Sequence, residues 1–357
     1  MKAASAPRRA SEIRILVVTQ RGPAEIAPSS ALPRLLAPGD LVVVNDAATL
    51  PASLYARTAA GEPIEIRLAG ARGDEPAPRF TAALLGRGDH RTRTEDRPPP
   101  PPVAPGDVLA IGERLKARVL RLSPFSQRLV DLALEGPPEV AETWAELYRL
   151  GKPVQYAHVP DRLALWDVQN VWAGRPWAVE MPSAGRALDG GVVLALRARG
   201  IDVARITHAA GLSATGDPEI DRRLPLPERF EVPAETARAV ARARARGGRV
   251  VAVGTSVVRA LESAARLSPR GTLAPATGIT DLRLSPGVPL RVADAILTGV
   301  HEADTSHYEL LGAFVSAEVL EGALAMAERE RMLGHELGDA WLVWSRERAA
   351  SSATVAA

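Results

Sequence analysis

Arg249-Val250-Val251-Ala252-Val253-Gly254-Thr255-Ser256 decides how this chain is read. A continuous run of β-branched and small apolar residues, without polar alternation, suits a strand buried on both faces, as a sheet covered by helices requires. Glycine ends the run, and hydroxyl residues open a helical pattern over 256–266. Three other runs share this plan. Leu41-Val42-Val43-Val44 ends in Asn45-Asp46, the run 201–206 in Thr207-His208, and the run 292–297 in Thr298-Gly299-Val300-His301. Helical patterns over 190–199, 234–246 and a long amphipathic stretch, 308–332, lie between or after them, and 339–344 reads as a closing strand. The expectation is an α/β domain on a parallel sheet.

The region 55–150 has a different grain. Ile64-Glu65-Ile66-Arg67-Leu68 alternates, and further strand-like runs at 80–85 and within 118–134 are separated by Gly, Pro and Asp turns. That pattern predicts a small antiparallel β-barrel. The expected organisation is a large α/β domain of residues 1–54 and 151–357, ending in a tail at 346–357, interrupted by a β-barrel domain of residues 55–150.

Composition narrows the chemistry. The 357 residues are 46% hydrophobic, enough for a sizeable core, and contain no cysteine, which excludes disulfides, thiolate metal sites and cysteine nucleophiles. No apolar run approaches the roughly 20 residues of a membrane helix, and the basic N-terminus lacks the apolar segment of a secretory signal, so a cytoplasmic location without membrane contact is expected. Basic and acidic residues nearly balance, 44 against 42, but all the basic ones except Lys2, Lys116 and Lys152 are arginine. Arginine forks suit phosphate, and codon bias gives the same excess, so composition alone does not establish a nucleic-acid partner.

In open α/β sheets ligands bind beyond the carboxyl ends of the strands. Asn45, Asp46, Thr207, His208, Thr255, Ser256, Thr298 and His301 are therefore expected to face one site. The Gly254-Thr255-Ser256 turn offers free backbone N–H groups and the positive end of a helix dipole to a carboxylate or phosphate, unless Thr255 or Ser256 merely caps the helix. His301, Asp304 and His307 recur every third residue, a spacing that drifts around a helix and disfavours a shared metal. One functional histidine in that loop is the expectation. Trp166, Trp172 and Trp177 suit either a core or a base-stacking surface.

With these residues in view, the chain resembles the S-adenosylmethionine:tRNA ribosyltransferase-isomerase family of queuosine biosynthesis. The likeness is carried by Pro38-Gly39-Asp40-Leu41-Val42-Val43-Val44-Asn45-Asp46, by Tyr156-Ala157-His158, by Asp167-Val168-Gln169-Asn170-Val171-Trp172-Ala173 and by Pro182-Ser183-Ala184-Gly185. It continues through Gly254-Thr255-Ser256-Val257-Val258-Arg259, Gly278-Ile279-Thr280-Asp281 and Gly338-Asp339-Ala340. It implies a large barrel-like α/β domain carrying the small β-barrel. It also implies a reaction moving and isomerising the ribosyl part of S-adenosylmethionine onto a 7-deazaguanine-type base in tRNA, with adenine and methionine leaving. S-adenosylmethionine is then a co-substrate and tRNA a partner, no metal is expected, and the protein is expected as a monomer. His301 and Asp46 are implied for proton transfer. The expected substrate contacts are Asn45, Pro182, Ser183, Ala184, Gly185, Arg186, His208, Gly254, Thr255, Ser256, Arg259, Asp281, Glu302 and His307.

The sequence also departs from the family pattern. A Pro-Thr-Ala-Gly-Leu-His-Phe stretch becomes Pro182-Ser183-Ala184-Gly185-Arg186-Ala187-Leu188, and the histidine of a neighbouring segment stands one place earlier, at His208. Of an Asn-Phe-His-Leu-Pro stretch only His301 is retained. These departures leave two other readings open: the same donor with a small-molecule acceptor, or binding of S-adenosylmethionine without turnover.

Overall fold

The computed structural model describes residues 1–71, 78–303 and 305–345. Strands β1 (Arg14–Thr19) and β2 (Gly22–Pro28) pair as a hairpin, and helix α1 (Leu32–Leu35) leads to β3 (Leu41–Asn45) and the short β4 (Ala47–Thr49). The chain then builds β5 (Ser53–Arg57), β6 (Pro63–Ala71), β7 (Arg79–Leu85), β8 (Val108–Ala110), β9 (Lys116–Leu122) and β10 (Leu129–Glu135), which close into a barrel in the order β10-β7-β6-β5-β8-β9. Helix α2 (Val140–Leu150) leaves the barrel, and β11 (Arg175–Ala178) pairs with β4. There follow α3 (Gly190–Ala198), β12 (Asp202–His208), α4 (Pro218–Asp221), β13 (Glu228–Val232), α5 (Ala234–Ala245), β14 (Val250–Val253) and α6 (Thr255–Leu267). The last elements are β15 (Ala276–Thr280), β16 (Ala295–Gly299), α7 (Ser306–Leu311), α8 (Ala317–Arg329) and β17 (Ala340–Trp344).

Nine strands form the large sheet, in the order β15-β13-β12-β3-β14-β16-β17-β1-β2. It is open, with β15 and β2 at its edges, whereas the small barrel is closed. The four strands read from the sequence, β12, β3, β14 and β16, are consecutive neighbours and mutually parallel. Elsewhere the sheet departs from the parallel expectation: β17 runs antiparallel to β16, as do β13 to β12 and β15 to β13. Those strands are reached through long connections, with α4 before β13, α5, β14 and α6 before β15, and α7 and α8 before β17.

The continuous apolar runs are explained by two cores, one on each face. Val43, Ala252 and Ile296 pack with Val240, Val257 and Leu261 of α5 and α6. Their neighbours Val42, Val44, Val251 and Leu297 point the other way, onto Val192 and Leu196 of α3. Each such fully buried Val or Leu contributes about 1.5–3 kcal/mol, so a polar residue anywhere in β3 or β14 would be opposed from either side.

Three local readings change. The run 292–297 becomes a strand only from Ala295, because the Val292 and Ala293 N–H groups donate instead to Glu262 Oε1, at 2.8 and 3.1 Å. The stretch 308–332 is not one helix: α7 and α8 are separated at 312–316. In β6 the polar members of the alternation are buried along with the apolar ones. Arg67 Nε and Arg97 Nη1 donate to the two oxygens of Glu65, at 2.8 and 2.6 Å, and burial costs are offset by pairing. The expected tail at 346–357 lies outside the described residues. Among the described residues no helix is long and apolar enough to cross a membrane.

Candidate functional site

Parallel register brings the ends of β12, β3, β14 and β16 to one edge of the sheet, with Ile206 opposite Asn45 and Val253 opposite Leu297. Asn45 is the pivot. Its Oδ1 accepts from the N–H groups of Ala47 and His208, at 3.0 and 2.9 Å, while its Nδ2 donates to the His208 carbonyl at 2.9 Å and to Ser256 Oγ at 3.3 Å. One side chain therefore locks three strand ends together. Asp46, next along, accepts from Thr207 Oγ1 at 2.6 Å.

The turn after β14 keeps its helix end open. Gly254 occupies the N-cap position with φ 97°, and no side chain caps α6, so Thr255 and Ser256 are not caps. Val257 and Val258 N–H groups bond back to the Gly254 carbonyl. The amides of Thr255 and Ser256 face forward from the positive end of a 13-residue helix. The turn Ser183–Ala187 packs over them, with Ala184 Cβ 3.6 Å from where a side chain on Gly254 would begin. Pro182 accepts from Asn170 Nδ2 through its carbonyl, and Gly185 fits because any Cβ there would stand 2.8 Å from that same nitrogen.

Arg186 lies on this turn with one guanidinium nitrogen, Nη2, bonded to the Arg8 carbonyl at 2.5 Å, and the other, Nη1, buried without a partner among the described residues. Burial, with Arg8 nearby, lowers its pKa below the ordinary arginine value. Ser183, Ala184, Arg186, Gly299, His335 and Glu336 line a crevice of only about 10 Å³, room for about one water. A larger cavity, about 530 Å³, is lined by barrel residues such as Tyr55, Glu65, Arg87 and Glu113.

Beyond β16 the histidines gather. His301 Nε2 is hydrogen-bonded to Thr298 Oγ1 at 2.7 Å, and its ring stacks on His307 with centroids 4.9 Å apart. Burial, reinforced by His307 and His335, pushes the His301 pKa well below the ordinary histidine value, and burial with Arg259 brings His307 down to about 4. Both rings are neutral near pH 7. His208 is fully buried, its Nε2 3.5 Å from Glu228, and burial and Arg259 hold it neutral too.

Other expected contacts are placed differently. Arg259 is spent inside the protein, pairing with Glu228 and donating to the carbonyls of Leu282 and Thr280, at 2.9 and 3.3 Å. Asp281 is exposed at the end of β15. Glu302 is exposed, 3.4 Å from His335 Nε2. The tryptophans do not cluster: Trp166 is 80% exposed, Trp172 packs against the core, and Trp177 lies between the guanidinium groups of Arg175 and Arg229. Asp304 lies outside the described residues.

Two groups were missed by the sequence reading. Glu180, just before the Pro182 turn, is half-buried, accepts from Tyr156 Oη and from the Ser213 N–H at 2.9 Å, and is pushed up to about 7 by its removal from water. Tyr156 was quoted only as part of a motif. An isolated glutamate in Val179-Glu180-Met181 carries no signal of its partners; the donors that bond it come from 24 and 33 residues away.

A family model described as "Queuosine biosynthesis protein" matches residues 1–343. The chain belongs to this family. Two relatives named S-adenosylmethionine:tRNA ribosyltransferase-isomerase illustrate the distance. The one from Xanthomonas oryzae pv. oryzae is 33% identical over 96% of this chain and 93% of its own length. That from Anaeromyxobacter dehalogenans is 35% identical over 95% and 94%. A crystal structure of S-adenosylmethionine tRNA ribosyltransferase from Thermotoga maritima shares the fold, with a TM-score of 0.50, 24% identity and 95% of each chain covered.

Proposed function

We infer that this chain is an S-adenosylmethionine-dependent ribosyltransferase-isomerase of queuosine biosynthesis. It transfers the ribosyl part of the donor to a 7-deazaguanine-type base in tRNA, isomerises it, and releases adenine and methionine. The observation that carries the reading is the uncapped Gly254-Thr255-Ser256 helix start, clamped to the strand ends by Asn45 and roofed by the Pro182-Ser183-Ala184-Gly185 turn, in a chain of this family.

Each group has a task its environment suits. The free amides of Thr255 and Ser256 bind the methionine carboxylate. The sulfonium acidifies the neighbouring ribose C–H, so a modest base removes that proton. His301 is that base: burial keeps it unprotonated, and Thr298 fixes one of its ring nitrogens. Asp46, oriented by Thr207, is the second proton-transfer group, and the unpartnered Nη1 of Arg186 takes an anionic substrate oxygen. Because the crevice admits about one water, the donor enters only when the Ser183–Ala187 turn separates from Glu336 and His335. In this reading residues 1–54 and 151–357 are the catalytic domain and 55–150 an inserted barrel domain, in a cytoplasmic monomer whose reaction uses no metal.

Incubating the protein with S-adenosylmethionine and tRNA bearing the 7-aminomethyl-7-deazaguanine base tests this. Mass spectrometry should show adenine and methionine released in step with an epoxycyclopentane on the base. His301→Asn should lower kcat about 10²-fold or more. Intact donor beside a confirmed acceptor would overturn the assignment, and release with a free base or nucleoside but not tRNA would move the acceptor to small molecules.

A further inference from the structure

We propose that His158, His335 and Glu336 form a binding site for one divalent transition-metal ion, zinc in type, which the reaction assigned above does not use. The three residues come from two distant segments: the stretch after the barrel's return helix α2, and the turn that precedes β17. Each offers one ligand atom, and the three atoms lie within 4.8 Å of one another. His158 Nε2 is 3.1 Å from Glu336 Oε1, and the two imidazole rings are 4.4 Å apart, tilted by 34°.

Donors on a tetrahedral zinc with bonds of about 2.0–2.1 Å stand roughly 3.3 Å apart. His158 Nε2 and Glu336 Oε1 already stand near that spacing, at 3.1 Å. Two imidazole nitrogens and a carboxylate oxygen converge here, and a dication is the one partner that satisfies all three at once. Two nitrogens and one oxygen, with no cysteine in the chain, favour zinc, cobalt or nickel over magnesium or calcium.

The surroundings resemble the outer shell of a metal site. Glu302 Oε1 lies 3.4 Å from His335 Nε2, a fourth donor or an orienting partner. The Tyr156 ring stacks on His158 with an interplanar angle of 9°. His335 itself is held at φ 65°, a left-handed conformation that a non-glycine residue rarely adopts. That conformation sets His335 and its neighbour Glu336 beside the same imidazole. Since both also line the crevice beside Ser183 and Arg186, a bound ion would pin one wall of that crevice to the stretch at 156–160.

The full chain, stripped with a chelator and dialysed, is titrated with Co²⁺ and followed by visible absorption, with Zn²⁺ as competitor. One equivalent of Co²⁺ per chain, displaced by Zn²⁺, is expected, together with a rise in Tm on adding Zn²⁺. His158→Ala, Glu336→Gln and His335→Gly should each weaken binding at least tenfold; glycine keeps the left-handed backbone, so folding is preserved while the ligand is lost. His90→Ala should bind as wild type. Failure of the wild type to saturate with Co²⁺, or binding that survives all three substitutions, would overturn the site. No donor or tRNA is present, so this result is independent of the catalytic assignment.

Discussion

Gly254 sits at φ 97°, ψ 154°, a backbone region essentially closed to side chains. A Cβ there would meet only ordinary contacts, Ser256 Oγ at 3.5 Å and Ala184 Cβ at 3.6 Å. Gly254→Ala should therefore cost through the backbone, about 1–3 kcal/mol, and should tilt the Thr255 and Ser256 amides. Expected are a lower Tm and a KM for S-adenosylmethionine raised at least tenfold; an unchanged KM would show that the turn does not hold the donor. The residue pattern here was readable because a strand, a glycine and two hydroxyls are local. What the arginines do was not. Arg259 and Arg186 look alike in sequence, yet one is paired with Glu228 and the other keeps a buried nitrogen without a partner. That difference depends on groups brought from elsewhere in the chain.

Among elements, the strands buried on both faces were the most legible, since their composition admits no other environment in a soluble fold. β6 was only half readable. Its alternation gives the strand and hides the fact that Thr94, Arg97 and Tyr156 cover the polar face, with Arg67 donating to Thr94 Oγ1 at 3.1 Å and lying over the Tyr156 ring. The break between α7 and α8 was invisible because Gly312 is tolerated in an amphipathic pattern. Tertiary packing requires the glycine at that break: a Cβ at 312 would stand 2.5 Å from Cγ of Pro286, a rigid ring that cannot swing aside. Gly312→Ala should thus destabilise by about 1–3 kcal/mol as an overpacked contact, opposite to the gain expected for Gly→Ala in an unobstructed helix. Urea unfolding reads the sign directly. A more stable variant would mean that α7 and α8 do not press on Pro286.

For the whole molecule, the near balance of charge conceals how much of it is used internally. Arg8 and Arg14 both reach Asp339, Arg249 reaches Asp40 and Arg244 reaches Asp294, so part of the arginine excess is spent on pairs within the protein. The buried titratable groups carry the more decisive consequence. His307 falls from 6.5 to about 4, so between those values the unfolded chain binds a proton that the folded one does not, and stability falls as pH falls. Glu180 rises from 4.5 to about 7, so over that window the folded chain binds the extra proton, and stability falls as pH rises. Each slope is at most ~1.4 kcal/mol per pH unit, and in the wild type they oppose one another. Glu180→Gln removes the second slope. Its Tm should climb more steeply than that of the wild type between about pH 5 and 6.5. His307→Asn removes the first, and its Tm should climb less steeply or decline over the same range. Thermal unfolding of the three proteins in parallel buffers checks both signs at once, because the other buried groups are common to all and cancel in the comparison. Profiles that merely shift, without a change of slope, would mean that Glu180 and His307 titrate in the folded protein as they do in the unfolded chain.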